Sequence, residues 1–389
     1  MTDTHVAAPS LEKLLTHHSE KWRGFDRDVL PLPVAEMDFP IAESIKQTLL
    51  NMVSTSDLGY LGLVPELPSG FAHFASHRWG WDIDTNQVRI AADVGVAVVE
   101  VLRVFTKPGD SILINSPVYQ NFYNWINETH LNLVDVPFTR TGEQGDFENP
   151  WELDWDAVEK AYSSGLRVHL MCSPHNPLGR MYSKEELTRV AEMAKKYGVL
   201  VISDEIHAPL TFKEKTFIPF LSLDETAREV GITVTAASKG WNIAGLKCAI
   251  IVSQNDAINK KLEELPKAVH FRASILGAFA SASAFADGGT WLDTVIAQLD
   301  HNRFMIKDLL AAKLPTVGYH IPHNSYLAWL DLESLNLGEN PSLTLLERGR
   351  VAFNPGHTYG AQCSQYVRLN FATSPEIISE AIDRIVRTL

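Results

Sequence analysis

The chain has 389 residues, of which 45% are hydrophobic and 21% charged, and a formal net charge of −13. One hydrophobic core rarely organises a chain of this length, so we expect a globular protein with two domains. The negative charge argues against nucleic acids and anionic membranes as partners, because both select for basic patches.

The cysteines and the N-terminal sequence indicate in which cellular compartment the protein functions. The spacing of Cys172, Cys248 and Cys363 fits neither a disulfide framework nor a zinc finger, so we expect a reducing compartment and no metal. No basic region followed by an apolar core begins the sequence, and no signal peptide is predicted. The best apolar run, VGVAVVEVLRVF, contains Glu100 and Arg103 and is too short to span a bilayer. A cytoplasmic location is the simplest interpretation.

The middle of the chain alternates short apolar runs with amphipathic segments. SILINSP, RVHLMCSP, GVLVISDE, ITVTAASK and LKCAIIVS are apolar at nearly every position, as in strands that are covered on both faces. Between them, SKEELTRVAEMAKKYG predicts a helix capped by Ser183 and ended by Gly198. This alternation predicts an α/β fold with a mainly parallel sheet between layers of helices.

The pattern changes after Gly289. TWLDTVIAQLDHNRFMIKDLLAAKL predicts one long helix that stops before Pro315, and shorter strands and a final helix, PEIISEAIDRIVRTL, follow it. We predict a large α/β domain over residues 45–285 and a smaller α+β domain over residues 286–389. Residues 1–44, which include the turn-rich LPLPVAEMDFP, are expected to join the smaller domain.

Five chemically distinctive residues directly follow predicted strands. Ligand sites in open α/β sheets form at the carboxyl ends of the strands, so these residues are expected to meet. They are Lys239 after ITVTAAS, Asp204 at the end of GVLVIS, Asn176 after HLMCSPH, Tyr119 after ILINSPV, and Gly95 where VRIAAD turns into a helix. Taken together, these residue types suit one small molecule, pyridoxal 5′-phosphate.

Each residue type fits one part of this cofactor. A neutral lysine amine forms a Schiff base with the aldehyde, which makes Lys239 the candidate anchor. Asp204 would keep the pyridine nitrogen protonated, so that the ring accepts electrons. Tyr119 would stack on the ring face, and Asn176 would donate to the phenolic oxygen.

The phosphate is expected at the N-terminus of the helix that begins near Gly95, where unpaired backbone N–H groups favour an anion. Asp93 would repel a phosphate but is a good N-cap, so we expect it to cap this helix with its carboxylate turned away from the anion. The other candidates for the phosphate are Val96, Ala97, Ser238 and Lys247.

Each of these residues also has an ordinary interpretation. A lysine after a strand is usually a solvated surface residue, and both Asp204 and NPLG suit turns. His175 and His207 are as compatible with packing as with catalysis. What favours a site is that the candidates occur together and in order, each at a strand end.

The chain resembles the cystathionine β-lyase (C–S lyase) family of the MalY/PatB type, within the fold-type I pyridoxal-phosphate enzymes. The motifs that carry the resemblance span nearly the whole chain. They are LPLPVAEMDFP, LGYLG, NSPVYQNF, SPHNPLGR, SDEIHAPL, SKGWNIAGLK, SYLAWLDL and YVRLNFAT.

The resemblance implies an aspartate aminotransferase-like fold and a β-elimination on cystathionine or related L-cysteine S-conjugates, with a thiol such as homocysteine, pyruvate and ammonia as products. It implies that Lys239, Asp204, Asn176 and Tyr119 contact pyridoxal phosphate as described above. His207, in SDEIHAPL, would lie on the side of the cofactor's phenolic oxygen.

The resemblance also implies residues for the substrate and for a partner subunit. Arg368 in YVRLNF would bind the substrate α-carboxylate with a bidentate guanidinium. Tyr60 in LGYLG would reach the phosphate of the neighbouring subunit in a homodimer. Glu36 is a candidate substrate-binding residue at a position where the family often has aspartate, and Lys247 stands where many aminotransferases have arginine.

Two other functions remain open at this point. An aminotransferase on the same fold would use Lys239, Asp204 and Arg368 in shared roles, so their spacing does not separate transfer from elimination. A regulatory protein could keep the fold and have lost catalysis, and nothing in the sequence tests that alternative.

Overall fold

The computed structural model describes residues 6–141 and 150–389 of the chain. Within these ranges the strands are β1 (Leu30–Pro31), β2 (Val88–Ala91), β3 (Ser111–Ile114), β4 (Asn132–Asp135), β5 (Phe138–Arg140), β6 (Trp151–Leu153), β7 (Val168–Cys172), β8 (Leu200–Asp204), β9 (Gly231–Thr235), β10 (Ala249–Val252), β11 (Gly318–Tyr319), β12 (Leu327–Asp331), β13 (Val351–Ala352), β14 (Asn354–Pro355) and β15 (Tyr366–Asn370).

The α-helices of the same ranges surround these strands. They are α1 (Leu11–Leu14), α2 (Glu20–Arg23), α3 (Glu43–Ser54), α4 (Glu66–Trp79), α5 (Val94–Phe105), α6 (Asn121–Glu128), α7 (Trp155–Ser163), α8 (Lys184–Tyr197), α9 (Glu225–Val230), α10 (Ala237–Gly240), α11 (Asp256–Leu262), α12 (Ala268–Phe271), α13 (Ile275–Asp287), α14 (Gly289–Lys313), α15 (Pro341–Gly349) and α16 (Pro375–Thr388).

Within the described residues, the largest sheet has seven strands in the order β2-β10-β9-β8-β7-β3-β4. The strands from β9 to β4 are parallel to their neighbours, whereas β10 runs antiparallel to both β2 and β9. Alternate residues point into two separate cores. Ile112 packs in the core that contains Val98 of α5, and Leu113 packs in the core that contains Val190 of α8. Helices therefore cover both faces, as the continuous apolar strands predicted.

Two of the predicted helices are confirmed. In α8 the Ser183 hydroxyl accepts from the Glu186 N–H at 3.2 Å, and the Glu186 carboxylate accepts from the Ser183 N–H at 2.8 Å. This reciprocal cap starts the helix, and Gly198, at φ 69°, ends it. The long predicted helix is α14, which ends at Lys313 shortly before Pro315.

A second, antiparallel sheet has the order β11-β12-β15-β14. The N-terminal part of the chain reaches the same region, because β1 pairs in parallel with β13, Leu30 opposite Val351. The domain boundaries at residues 44/45 and 285/286 stay a prediction. None of the helices in the described part of the chain has the length and apolar character that a membrane crossing requires.

Candidate active site

The carboxyl ends of the central strands open into a cavity of about 1070 Å³. Parallel strands present their carboxyl ends at one edge of the sheet, so residues that are far apart in sequence converge there. Most of the residues singled out from the sequence line this cavity. They are Gly95, Val96, Tyr119, Asn176, Asp204, His207, Ser238, Lys239, Lys247 and Arg368.

Lys239 lies in α10, the short helix that follows β9. Its amine donates to the backbone oxygen of Ala35 at 2.8 Å. Burial and the charge of Arg368 lower the pKa of Lys239 to about 8, although the carboxylates of Glu36 and Asp204 act in the opposite direction. A lysine with this pKa has a substantial neutral, nucleophilic fraction near neutral pH.

Asp204 is the last residue of β8, opposite Cys172 of β7. Its side chain is buried, and Oδ1 accepts from the Ile206 N–H at 3.2 Å. Burial raises the pKa of Asp204 to about 7, which outweighs the lowering by this hydrogen bond and by the charge of Lys239. A cationic group placed against this carboxyl would favour its ionised form.

Asn176 and Tyr119 lie on the loops after β7 and β3. The Asn176 side-chain oxygen accepts from Arg368 at 3.1 Å. The Tyr119 hydroxyl accepts from Asn121 Nδ2 at 2.7 Å, and its ring meets Trp125 edge-on, with centroids 6.1 Å apart. Tyr119 therefore presents a fixed aromatic surface at the cavity wall.

His207 is buried, and its Nδ1 is 2.9 Å from the Ser325 hydroxyl. Burial, with the charges of Lys239 and Arg368 adding to it, lowers the pKa of His207 well below its usual range. The imidazole is therefore neutral and can exchange hydrogen bonds without carrying charge.

At the start of α5, Asp93 caps the helix through a bond from the Val96 N–H to Oδ1 at 2.8 Å. The expectation that Asp93 is a cap is confirmed, but its carboxylate is not turned away. Asp93 lines the cavity, and Oδ2 is 3.2 Å from Lys247 Nζ. The N–H groups of Val94 and Gly95 lie too early in the helix to have an intrahelical acceptor, so they can bind an anion.

Three predicted residues do not line the cavity. Ala97 is fully buried, and its N–H donates to the Asp93 carbonyl at 2.9 Å, because this residue already belongs to the regular helix. The Glu36 carboxylate accepts from the Ser19 hydroxyl. The Tyr60 side chain is 96% exposed and points into solvent.

Arg368 is a buried guanidinium with no carboxylate partner among the described residues. It is 2% exposed, it donates to Asn176 and, at 2.7 Å, to the Pro33 carbonyl, and its Nε has no hydrogen-bond partner there. A buried charge without a counterion is costly, so Arg368 is a strong candidate to bind an anionic group in the cavity.

Residues 33–39, which we call the N-terminal strap, make contacts that the sequence did not predict, and Pro33, Val34 and Ala35 line the cavity. The backbone carbonyls of the strap accept from side chains on other elements. The Ala35 oxygen accepts from Tyr326 at 2.9 Å as well as from Lys239, Asn370 bonds to Val34 and Glu36, and Asn242 bonds to Met37 and Phe39.

The only sequence signal for the strap contacts was the two asparagines inside SKGWNIAGLK and YVRLNFAT. Uncharged amides in such motifs have many possible uses, and their partners here are backbone oxygens that no residue type specifies. Asn242 (φ 58°) also adopts a left-handed backbone conformation, which asparagine tolerates better than most residues.

The model of the aminotransferase class I and II family matches residues 27–385. The chain belongs to this family. Cystathionine β-lyase of Corynebacterium glutamicum is 35% identical over 98% of this chain and 99% of its own length. Protein MalY of Escherichia coli is 30% identical over 88% of this chain and 87% of its own. Both are relatives of the kind that the sequence motifs indicated.

The same relationship appears in three dimensions. Cystalysin of Treponema denticola, whose crystal structure contains pyridoxal 5′-phosphate, superposes on this chain with a TM-score of 0.91. The two chains are 27% identical, and the match covers 100% of this chain and 99% of cystalysin. The predicted aminotransferase-like α/β fold is thereby confirmed.

Proposed function

We propose that this class I and II aminotransferase family member is a pyridoxal-phosphate-dependent C–S lyase that acts on cystathionine or related L-cysteine S-conjugates. The observation that carries the proposal is one cavity that joins a lysine of lowered pKa, a buried aspartate and a buried arginine without a carboxylate partner among the described residues. The full-length similarity to a cystathionine β-lyase favours elimination among the reactions that this site could support.

The residues of the cavity fit the cofactor. When bound, pyridoxal phosphate supplies an aldehyde that condenses with amines and a cationic ring that withdraws electrons from Cα. Lys239 offers the amine, Asp204 a carboxylate for the ring nitrogen, Asn176 a donor for the phenolic oxygen, and Tyr119 a ring to stack on it. The early N–H groups of α5, with Ser238 and Lys247, suit the phosphate, and His207 lies close to Lys239.

The remaining chemistry belongs to the substrate and this chain's own side chains. Arg368 binds the α-carboxylate, which supplies the counterion that residues 6–141 and 150–389 do not provide for this guanidinium. The neutral amine of Lys239 takes the proton from Cα as general base, the Cβ–S bond breaks, and the sulfur leaves as a thiolate. With water, the carbon skeleton ends as pyruvate and the amino group as ammonia.

The deciding experiment is incubation of the purified, cofactor-loaded protein with L-cystathionine and no 2-oxo acid. We expect pyruvate and a free thiol in equal amounts. Pyruvate is measured by its coupled reduction, and the thiol is measured with a thiol reagent. Product that forms only when 2-oxoglutarate is added, with matching glutamate, would instead identify an aminotransferase. A protein that takes up no cofactor would contradict both reactions and favour the regulatory alternative.

Capture of the cofactor by the unloaded protein should depend on pH through Lys239. The neutral amine is the reactive form, and its fraction rises with pH through the lowered pKa of about 8. The capture rate should therefore increase about tenfold from pH 7 to pH 9 and then level off. Stopped-flow absorbance measures this rate, with N-α-acetyl-lysine as the control. A rate that keeps rising beyond pH 10, as in the control, would contradict the lowered pKa.

We further propose that the chain forms a homodimer in which Tyr60 reaches the phosphate of the partner's site. Tyr60 and Leu63 are 96% and 95% exposed and lie between α3 and α4, outside any helix or strand. Large side chains exposed together on an extended segment are typical of interaction surfaces. We also propose a cytoplasmic location, which the buried, free state of all three cysteines supports.

Mixing two variants that are each impaired at limiting cofactor tests the role of Tyr60 across the interface. Tyr60→Ala should weaken cofactor binding about tenfold, the cost of one hydrogen bond to a charged group. Mixed dimers of Tyr60→Ala and Lys239→Ala chains contain one site with both native residues, so activity at limiting cofactor should return after mixing. If Tyr60 served its own subunit, mixing would restore nothing, and sedimentation analysis would establish whether dimers form.

A further inference from the structure

Arg368 packs against aromatic side chains that do not themselves line the cavity. Its guanidinium carbon is 5.3 Å from the centre of the Tyr359 ring. The Tyr359 ring meets Trp329 edge-on, with centroids 5.3 Å apart, and Trp329 stacks on Tyr366 at 5.2 Å with 13° between the planes. Arg368 therefore lies over the first ring of a cluster of three aromatic side chains.

The Tyr359 ring is held firmly in this position. The residue is fully buried, and its backbone oxygen accepts from the Val118 N–H at 2.9 Å and from the Tyr123 hydroxyl at 3.0 Å. Trp329 is buried as well, and it lies directly opposite Arg368 in the pairing of β12 with β15. The Tyr359 hydroxyl lies near Asn354 but has no partner at hydrogen-bond geometry among the described residues.

The guanidinium is thus held in two different ways. Asn176 and the Pro33 carbonyl bind its two terminal nitrogens, and its central carbon lies over the Tyr359 ring. A cation held against an aromatic ring away from water gains electrostatic attraction, and a buried ring also limits the positions that the guanidinium can take. The Nε–H, which has no partner within the described residues, remains for a ligand.

We propose that Tyr359 is a positioning residue for substrate carboxylate recognition, and that it acts through its ring by holding the plane of Arg368. This inference rests on the proposed role of Arg368 as the α-carboxylate site. The effect on Arg368 depends on the Tyr359 ring and not on its hydroxyl, so phenylalanine should replace tyrosine at this position without loss of function.

The test compares L-alanine with L-alaninamide, which has the same shape but no carboxylate charge. Neither has a leaving group at Cβ, so binding to the cofactor-loaded protein can be followed by its visible absorbance whether or not the protein is a lyase. The ratio of the two dissociation constants isolates the carboxylate. We expect Tyr359→Leu to reduce the preference for L-alanine about tenfold, between the values of an exposed and a fully desolvated cation–π contact, and Tyr359→Phe to keep it within about twofold.

Tyr319→Leu is the matched control, because Tyr319 is a buried tyrosine whose hydroxyl donates to the Arg303 carbonyl at 3.2 Å, outside the cavity lining. It should lower the melting temperature and leave the preference unchanged. An unchanged preference in Tyr359→Leu, or an equal loss in Tyr359→Phe, would overturn the proposal. Wild-type protein that binds acid and amide equally would overturn the role of Arg368 as well, whereas a missing lyase activity alone would not affect the ratio.

Discussion

Replacing Lys239 by alanine is expected to lower the rate of pyruvate formation from L-cystathionine by about 10⁴-fold, the upper end of what a general base contributes. The amine at this position would both anchor the cofactor and take the Cα proton, so its removal affects both functions. Asp204, Asn176 and Tyr119 remain, and some cofactor should stay bound without a covalent link. Steady-state kinetics and the visible spectrum of the purified variant measure the two effects.

Three controls make the Lys239→Ala result specific. Lys196→Ala removes an exposed lysine that is paired with Glu159 and should behave as wild type. Added methylamine should restore part of the lost rate, because a small amine can enter the space that the lysine side chain leaves. Borohydride reduction of the wild-type protein, followed by peptide mapping, should label Lys239. A label on another residue would refute the assignment.

Replacing Asp204 by asparagine is expected to reduce turnover by about 10²- to 10³-fold, the value of a charge-assisted interaction in a buried site. The amide has nearly the same shape, but it cannot supply a negative charge to the pyridine nitrogen. The ring would then withdraw electrons from Cα less strongly, and the loss should fall on kcat more than on KM. Steady-state kinetics at saturating cofactor measure this difference.

The same substitution should have the opposite effect on the stability of the unloaded protein. Because burial raises the pKa of Asp204 from 3.8 to about 7, the folded state binds this proton more tightly than the unfolded state does. Folded stability therefore falls as pH rises from about 4 to about 7, and above pH 7 the buried charge is a fixed cost. Asp204→Asn removes that cost and should raise the melting temperature at pH 8.

Glu205→Gln provides the matched comparison for Asp204→Asn. Glu205 is also buried with a raised pKa, but it does not line the cavity and instead accepts from Ser203 and from the Phe220 N–H. Its substitution should leave turnover within a few-fold of wild type. If Asp204→Asn lowered activity and melting temperature together, the carboxylate would be a structural group and its proposed role would be wrong.

The sequence predicted the site best where a chemically distinctive residue directly follows a strand. Lys239, Asp204 and Asn176 could be placed together because parallel strands end at one edge of the sheet, whatever the details of packing. The role of Arg368 was predicted from the motif YVRLNF. The antiparallel direction of β10 was not predicted, because a strand that is covered on both faces has the same apolar pattern in either direction.

Contacts that depend on the path of the backbone could not be predicted. The strap carbonyls carry no signature in the side chains of residues 33–39, and their donors are scattered from Lys239 to Asn370. The position of Ala97 was misjudged by a single residue, because the boundary between free and bonded N–H groups depends on where α5 begins. The contact between Asp93 and Lys247 likewise could not be predicted, because only the fold brings these two residues together.

The strap has a consequence for the biosynthesis of the active site. Pro33 and Val34 emerge from the ribosome well before their partners Arg368 and Asn370, which follow 335 and 336 residues later. Contacts this distant in sequence form late and slow the final stage of folding. A nascent chain can therefore complete its central sheet and still lack a working catalytic centre until Arg368 and Asn370 have been synthesised.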